Sequence, residues 1–410
     1  MQIAYSRYIF RRLLRSSAVV LAAYVLAACD ATNRASSTYA TAVSDVTYEL
    51  SESPVITIGG EDERQDYAIG RTVGAFWLED DRLVIADGLS RQLRFYSGEG
   101  QLLRTAGGEG EGPGEFRRLH SISRTRGDSI VAWDAYLRRV TVFAPNGDFA
   151  YSTADPAWSR ILGELQTKYA RSILDFARIH LADSSRFVFE LNAEPNLQAI
   201  THQQVVQDTI PVIAISRTGE TWIELGPFPG REYLVYDGMG APLALGEDLR
   251  VAAANEVLYV GSTRDTAIHA LSPIGGSPPR SIALPWRRRP TLEEDVNTAT
   301  RRFLNRIPPD LSSRAERFVN GVPWPDSLPT FSDLLVSSDG TVWVQMFRAP
   351  ADALQEWIVF TPSGEVVGSV ALDTSLKMLD VGADYALVQA ADARGVEAIR
   401  LHRLRPSDGR

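Results

Sequence analysis

The chain has five histidines: His120, His180, His202, His269 and His402. None stands in an HxH or HExxH spacing that would put two imidazoles on one metal ion. A histidine metal site would therefore need ligands gathered from distant parts of the chain. The glycine-rich stretch from Gly107 to Gly114 invites a second reading, as a phosphate cradle. A P-loop follows its last glycine with a lysine and a hydroxyl, to hold phosphate and magnesium. Here Glu115 and Phe116 follow instead, and Glu109 and Glu111 would repel a phosphate, so the stretch reads as a connecting loop. Two charged sets, Asp87 with Arg91 and Asp134 with Arg138, recur at the same spacing. Repetition suits residues that organise a turn in each copy of a repeat better than it suits one active site. There is no Gly-x-Ser-x-Gly nucleophile elbow, and no carboxylate pair is singled out in so acidic a chain.

The one cysteine, Cys29, points elsewhere. Residues 1–28 contain Arg7, Arg11, Arg12 and Arg15, no acid, and an apolar run centred on Val19 to Leu26. That is the charged and apolar pair of regions of a secretory signal, and the run is shorter than the roughly 20 residues of a spanning helix. The segment Leu26-Ala27-Ala28-Cys29 resembles the bacterial lipobox, which implies that Cys29 is acylated and becomes the new N-terminus. Residues 29–46 are small and polar, as a flexible tether should be. The expected location is a membrane-anchored lipoprotein on the periplasmic or cell-surface face. Losing the signal takes 42 basic residues to 38 against 51 acidic, a net charge of −13. That balance disfavours a nucleic-acid partner, and none is expected, since phosphate binding needs a basic face. With no second cysteine there is no disulfide, and the core alone must hold the fold.

An internal repeat organises the rest. Residues 81–102 and 128–149 align without gaps at an offset of 47, matching Asp81 with Asp128, Asp87 with Asp134, Arg91 with Arg138 and Gly100 with Gly147. Apolar positions coincide as well, Val84 with Val131 and Tyr96 with Phe143 among them. Each copy reads as short strands separated by Gly, Asp, Ser or Asn-Gly turns. Weaker copies follow around Phe187, Val257, Val342 and Tyr385. Strand-only units with a period of about 40–50 residues predict a β-propeller. The expectation is an all-β, six-bladed propeller of four-stranded blades over 47–404. The strand at Pro54–Ile58 would close the ring on the last blade and remove its open edge. Two short helical insertions are expected, at about 156–178 and about 286–320. The second is marked by a capping-box pattern, Thr291 with Glu294.

The run Val84-Ile85-Ala86-Asp87, Arg91, Phe95, Gly100, and then the Gly107–Phe116 loop, resembles the NHL-repeat-like propellers of bacteria. That resemblance implies the fold far more than the function. Some six-bladed propellers resemble calcium-dependent lactonases, which implies an alternative: a metal-dependent hydrolase, lactonase or lyase with a divalent cation such as calcium on the axis. The first expectation remains a non-catalytic scaffold with no cofactor, binding an envelope protein or a small ligand at the ring mouth. Arg71, Arg118, His120, His180 and Asp333 are the candidate ligand-binding residues, because each falls just before or within an inner strand. The inserted helices, with Trp324, would shape further contacts at one mouth. The anchor has a direct test. Cys29→Ala should move the protein from the membrane fraction to the soluble fraction on cell fractionation, and continued membrane association would remove the lipid from the account.

Overall fold

The computed structural model describes residues 46–60, 68–154, 157–169, 174–182, 185–193, 200, 202–236, 239–274, 280–349, 352–392 and 394–407. The signal and Cys29, with the tether up to residue 45, lie outside the described residues. The chain is mostly β, arranged as successive antiparallel meanders. β3 (Thr72–Trp77), β4 (Leu83–Asp87), β5 (Gln92–Tyr96) and β6 (Leu102–Gly107) form the first sheet. β7 (Leu119–Arg124), β8 (Ile130–Asp134), β9 (Arg139–Phe143) and β10 (Phe149–Ala154) form the second. The third has β11 (Leu174–Ala182), β12 (Arg186–Ala193), β13 (Gln204–Ser216), β14 (Trp222–Tyr236) and β15 (Met239–Pro242). The fourth has β16 (Leu249–Ala254), β17 (Val257–Ser262), β18 (Ala267–Leu271) and β19 (Arg280–Ala283). Two further meanders are β20 (Phe331–Val336), β21 (Val342–Met346), β22 (Leu354–Phe360), β23 (Val366–Asp373), and β24 (Leu376–Val381), β25 (Tyr385–Ala391), β26 (Glu397–Pro406).

The N-terminal strands complete this last part. β2 (Ile56–Gly59) pairs antiparallel with β26, as the outer strand of the last meander. β1 (Thr47–Leu50) lies between β23, which it pairs in parallel, and the end of β26. It thereby joins the last two meanders into one sheet.

Strands such as β4 and β8 read as near-continuous apolar runs because neither face meets water. In β4, Leu83 and Ile85 pack toward β2, β25 and β26, while Val84 and Ala86 pack toward the second sheet. In β8, Ile130 and Ala132 face the first sheet, and Val131 and Trp133 face the third. Side chains alternate with a period of two, so a strand buried between two neighbours must be apolar at both phases. Further cores fill the spaces between the third and fourth, fourth and fifth, and fifth and sixth meanders. The first strands also touch in cyclic order: β3 with β7, β7 with β11, β11 with β16, β16 with β20, β20 with β24, and β24 with β3. The arrangement is propeller-like, with each first strand innermost.

The matched repeat positions have a backbone cause. Asp81 and Asp128 (φ 59° and 63°), Arg91 and Arg138 (φ 59° and 48°), and Gly100 and Gly147 (φ 80° and 83°) all sit in the left-handed region. What recurs is a set of turns. The Arg91 guanidinium meets Glu109 at 2.9 Å, and Arg94 approaches Asp87 at 3.6 Å. The Gly107–Phe116 stretch is an inter-sheet loop, with Phe116 buried at its end and Arg139 donating to the carbonyls of Glu111, Gly112 and Glu115.

Helix α1 (Ala157–Lys168) packs Trp158, Ile161, Leu162 and Leu165 against Trp133, Phe187 and Phe189. The helical reading of residues 156–178 overshoots, because Leu174–Ala182 is strand β11. Phe176 and Ile179 of that strand are buried between sheets, and their packing outweighs the helical spacing of the local sequence. Helices α2 (Glu293–Leu304) and α3 (Ser312–Val319) occupy the second insertion. The start of α2 is one residue later than Thr291–Glu294 suggested: the Asp295 carboxylate accepts from the Leu292 N–H (2.9 Å) and from Arg289 (2.8 Å).

The innermost strands are also tied at their far ends. Arg124, ending β7, donates to the Trp77 carbonyl (2.7 Å) and reaches Asp380 of β24 at 3.5 Å. Asp380 accepts from the Trp77 N–H (2.9 Å) and the Tyr385 hydroxyl (3.1 Å). Burial pushes the Asp380 carboxyl up, and Arg124 with these donors brings it only part of the way back. Arg124→Met should cost about 3–5 kcal/mol by stranding a buried carboxylate, and adding Asp380→Asn should recover part of it. Urea denaturation of the two variants reads this directly, and a single variant as stable as the parent would show the pair contributes nothing.

Candidate functional site

The first strand of each meander starts at one end of the arrangement, here called the mouth, and the second strand returns to it. At this end, second-strand carboxylates pin first-strand starts. Asp87 accepts from the N–H groups of Arg71 (3.0 Å) and Gly70 (3.3 Å), and also from Leu89 and the Ser90 hydroxyl. Asp134 accepts from the N–H groups of Arg117 (2.7 Å), Arg118 (3.1 Å), Tyr136 and Leu137. Burial alone would raise the Asp87 carboxyl, but its hydrogen bonds outweigh burial and hold it below the usual range. The backbones of Arg71 and Arg118 are thus fixed while both side chains remain exposed.

The two strands beside β7 set the level of His120. Gly74 of β3 lies against Ile122. On the other side the Ile179 N–H donates to the Ser121 hydroxyl (3.2 Å), and the Ser123 hydroxyl donates to the His180 carbonyl (2.7 Å). This register puts His120 beside Arg178 of β11. His120 is partly buried, and burial, then Arg118, Arg178 and Arg71, lower its pKa to about 4. The imidazole is neutral at pH 7 among three guanidinium groups. Among the described residues, no hydrogen bond or ion pair engages the side chains of Arg118 and Arg178. Arg71 makes one long contact, to the Gly88 carbonyl at 3.4 Å.

His180 sits on the same strand as Arg178, with its Nε2 at 2.8 Å from Glu190 Oε2. Burial depresses the imidazole more than Glu190 raises it. Burial raises the Glu190 carboxyl, but His180 and Arg178 outweigh that and leave it low. Both shifts favour neutral imidazole beside charged carboxylate. The lining then continues to Asp248, which takes hydrogen bonds from Arg231 (2.8 and 2.6 Å) and lies 2.6 Å from Arg250. Asp333 of β20 caps its own neighbour, Leu334 N–H, at 2.9 Å and lies 3.8 Å from Arg250.

Of the residues picked from sequence, the structure brings Arg71, Arg118 and His120 together. His180 is linked to them through Arg178. Asp333 belongs to a separate, charge-balanced part of the lining. His269 and His402 bind elsewhere, to the Ser281 hydroxyl (3.0 Å) and the Ser51 carbonyl (2.9 Å). Sequence reasoning missed Arg178, Glu190, Asp248 and Arg250. Arg178 had a signal, being two residues from His180 on one strand, but it was hidden by the helical reading of that segment. Glu190 and Asp248 carry no local signal at all.

A wall stands on one side of the mouth. Only residues 212–216 of β13 pair with β12, so residues 204–211 and their partners in β14 project past the sheet. Leu234, Leu243, Val205 and Tyr236 of this extension pack on Phe303, Phe318, Val319 and Val322 of the helical insertion. Trp324 joins that cluster to a second one with Leu245, Leu328 and Ala349. Arg264 with Glu232 (3.0 Å) ties the extension to the fourth sheet. Among the described residues, no group of three or more His, Cys, Asp or Glu side chains is placed to hold a metal ion. None of their helices is long and apolar enough to cross a membrane.

No known family model matches the chain, and no curated protein matches it. Solved structures of propeller-like proteins resemble it in architecture. An exported protein of Bacteroides fragilis is 11% identical with a TM-score of 0.46, covering 89% of this chain and 98% of its own. Virginiamycin B lyase from Staphylococcus aureus is 8% identical with a TM-score of 0.39, covering 87% and 99%. A gluconolactonase of Xanthomonas campestris is 10% identical with a TM-score of 0.36, covering 82% and 87%. Likeness at this level carries no chemistry over.

The state of His120 gives a stability prediction. Its folded pKa lies below the unfolded value near 6.5, so between pH 6.5 and about 4 the unfolded chain takes up a proton that the folded chain refuses. The associated stability is complete above pH 6.5 and is lost as pH falls toward 4. His120→Asn should therefore lose about 1–2 kcal/mol less than wild type between pH 7 and pH 4.5 in urea melts, allowing for solvent screening at the mouth. Parallel pH profiles for the two proteins would show that His120 is not held neutral.

Proposed function

We propose that this chain is an exported lipoprotein, anchored through Cys29, whose six blades form a closed ring with β2 as the closing strand. The ring is a non-catalytic scaffold that binds a ligand at its mouth. One observation carries this reading: the two ends of the innermost strands treat charge differently. At the far end Arg124 is satisfied by Asp380 and the Trp77 carbonyl. At the mouth, Arg118 has no side-chain hydrogen bond or ion pair among the described residues, and Arg178, on the neighbouring strand, has only the Glu190 carboxylate opposite it on β12, which His180 already engages. Like charges held near one another repel, so a fold keeps them where something else neutralises them. The wall of β13, β14 and the inserted helices supplies a second surface beside the same opening, which suits a bound ligand.

The calcium-dependent hydrolase or lyase alternative is less well supported by these side chains. Three guanidinium groups disfavour a divalent cation beside His120, and the carboxylates nearby are already engaged by His180, Arg231 and Arg250. Thermal-shift screening of the full-length protein in detergent, with neutral sugars, amino acids, carboxylates and phosphate esters, should find compounds that raise Tm. Arg118→Glu should cancel those shifts. Hits that survive the change would move the site away from the mouth. Calcium-stimulated hydrolysis of a lactone in the panel would overturn the non-catalytic reading.

A further inference from the structure

The mouth arginines also specify what the ligand is, an inference that rests on the mouth being the binding site. Arg71, Arg118 and Arg178, all exposed, stand before or on three innermost strands that touch in turn, β3, β7 and β11, and the positive charge of each bears on His120. Their positions are built: the Arg71 and Arg118 backbones are pinned by Asp87 and Asp134, and Arg178 is placed by the β7–β11 register. Guanidinium is always charged and presents a planar fork that fits carboxylate, sulfate or phosphate oxygens. We propose that the mouth binds a small ligand through a doubly charged oxyanion group, lodged between these three arginines, and that His120 takes up a proton as the anion binds.

The charges bearing on His120 come from each element packed against it. Arg118 leads into its own strand. Arg71 stands before β3, with the Asp87 carboxylate committed to backbone N–H groups and Ser90. Arg178 stands on β11, next to the neutral His180 and charged Glu190 pair. Asp134 is committed to four backbone N–H groups. Burial first, and then the positive charges of Arg118, Arg178 and Arg71, keep the imidazole neutral while the mouth is empty. An anion of charge two seated there reverses the local field. The imidazolium then donates to the anion rather than facing three cations, so its protonation becomes favourable. Binding and proton uptake are linked, and each must strengthen the other.

Sulfate is the probe for the test, because it stays a dianion from pH 5 to pH 8. Isothermal titration of full-length protein in detergent should show sulfate binding that tightens several-fold from pH 7.5 to pH 5.5. The titration should also release or absorb heat in proportion to buffer ionisation enthalpy, the signature of proton uptake. Arg118→Ala and Arg178→Ala should each weaken sulfate at least tenfold. His120→Gln should keep binding at pH 7.5 but lose the pH dependence. These side chains are exposed or partly buried, and circular dichroism checks that each variant is folded. Sulfate binding unchanged by both arginine variants would overturn the proposal. So would an absence of sulfate binding, and if a neutral compound still bound in an Arg118-dependent way, the mouth would stand as a binding site while its anion specificity fell. Flat affinity across the pH range would remove the proton from the account.

Discussion

Asp87 and Asp134 pin the starts of two innermost strands. Each carboxylate ends a second strand and reaches back to the N–H groups that open the first strand of the same sheet. A buried carboxylate is costly unless several donors satisfy it, and these have four each. Hydrogen bonds to a charged acceptor are about twice as strong as neutral ones. The turn after the strand and the start of the innermost strand are therefore one unit. Residues 71 and 118, the first to follow the pinned backbone, are set at the mouth with little freedom in their main chain. Remove the carboxylates and the arginines would still be present, but nothing would aim them.

The rest of the fold is stable without ion pairs at those two arginines. Without disulfides, stability comes from the apolar cores between successive sheets, each built from two strand faces. A fully buried aliphatic or aromatic side chain contributes roughly 1.5–3 kcal/mol, and every sheet contributes several. The far end adds its own tie through Arg124 and Asp380, linking the first, second and last meanders. Charge is balanced where it holds strands together and left open where the strands begin. The two uses are separated by the length of one innermost strand, β7, which carries His120 near one end and Arg124 at the other.

Much of the fold is legible because it depends on short-range chemistry repeated at a fixed period. Asp81, Arg91 and Gly100 match Asp128, Arg138 and Gly147 because each pair must adopt a left-handed turn. The repeated letters were therefore a record of backbone geometry, as residues that organise turns should be. Where a second force competed, the local pattern misled. The helical reading of 156–178 ran on through residues 174–178, yet burial of Phe176 and Ile179 between sheets makes them strand. Thr291 and Glu294 have capping spacing, yet Asp295 closes the helix because Arg289 holds it there.

By itself the sequence determined the strand-and-turn units, their period and the choice of Arg71, Arg118, His120 and His180 as mouth candidates. All of these follow from contacts within a unit or from composition. Only the tertiary structure decided which of them meet. Arg178 reaches His120 through the contact of β7 with β11, and Glu190 reaches His180 from the neighbouring strand β12. Asp333 turns out to belong with Arg250 and Asp248 instead. Such meetings depend on the register between strands far apart in the chain. One residue of slip would turn every side chain to the opposite face. That register is set by core packing over whole sheets, and no local pattern encodes it.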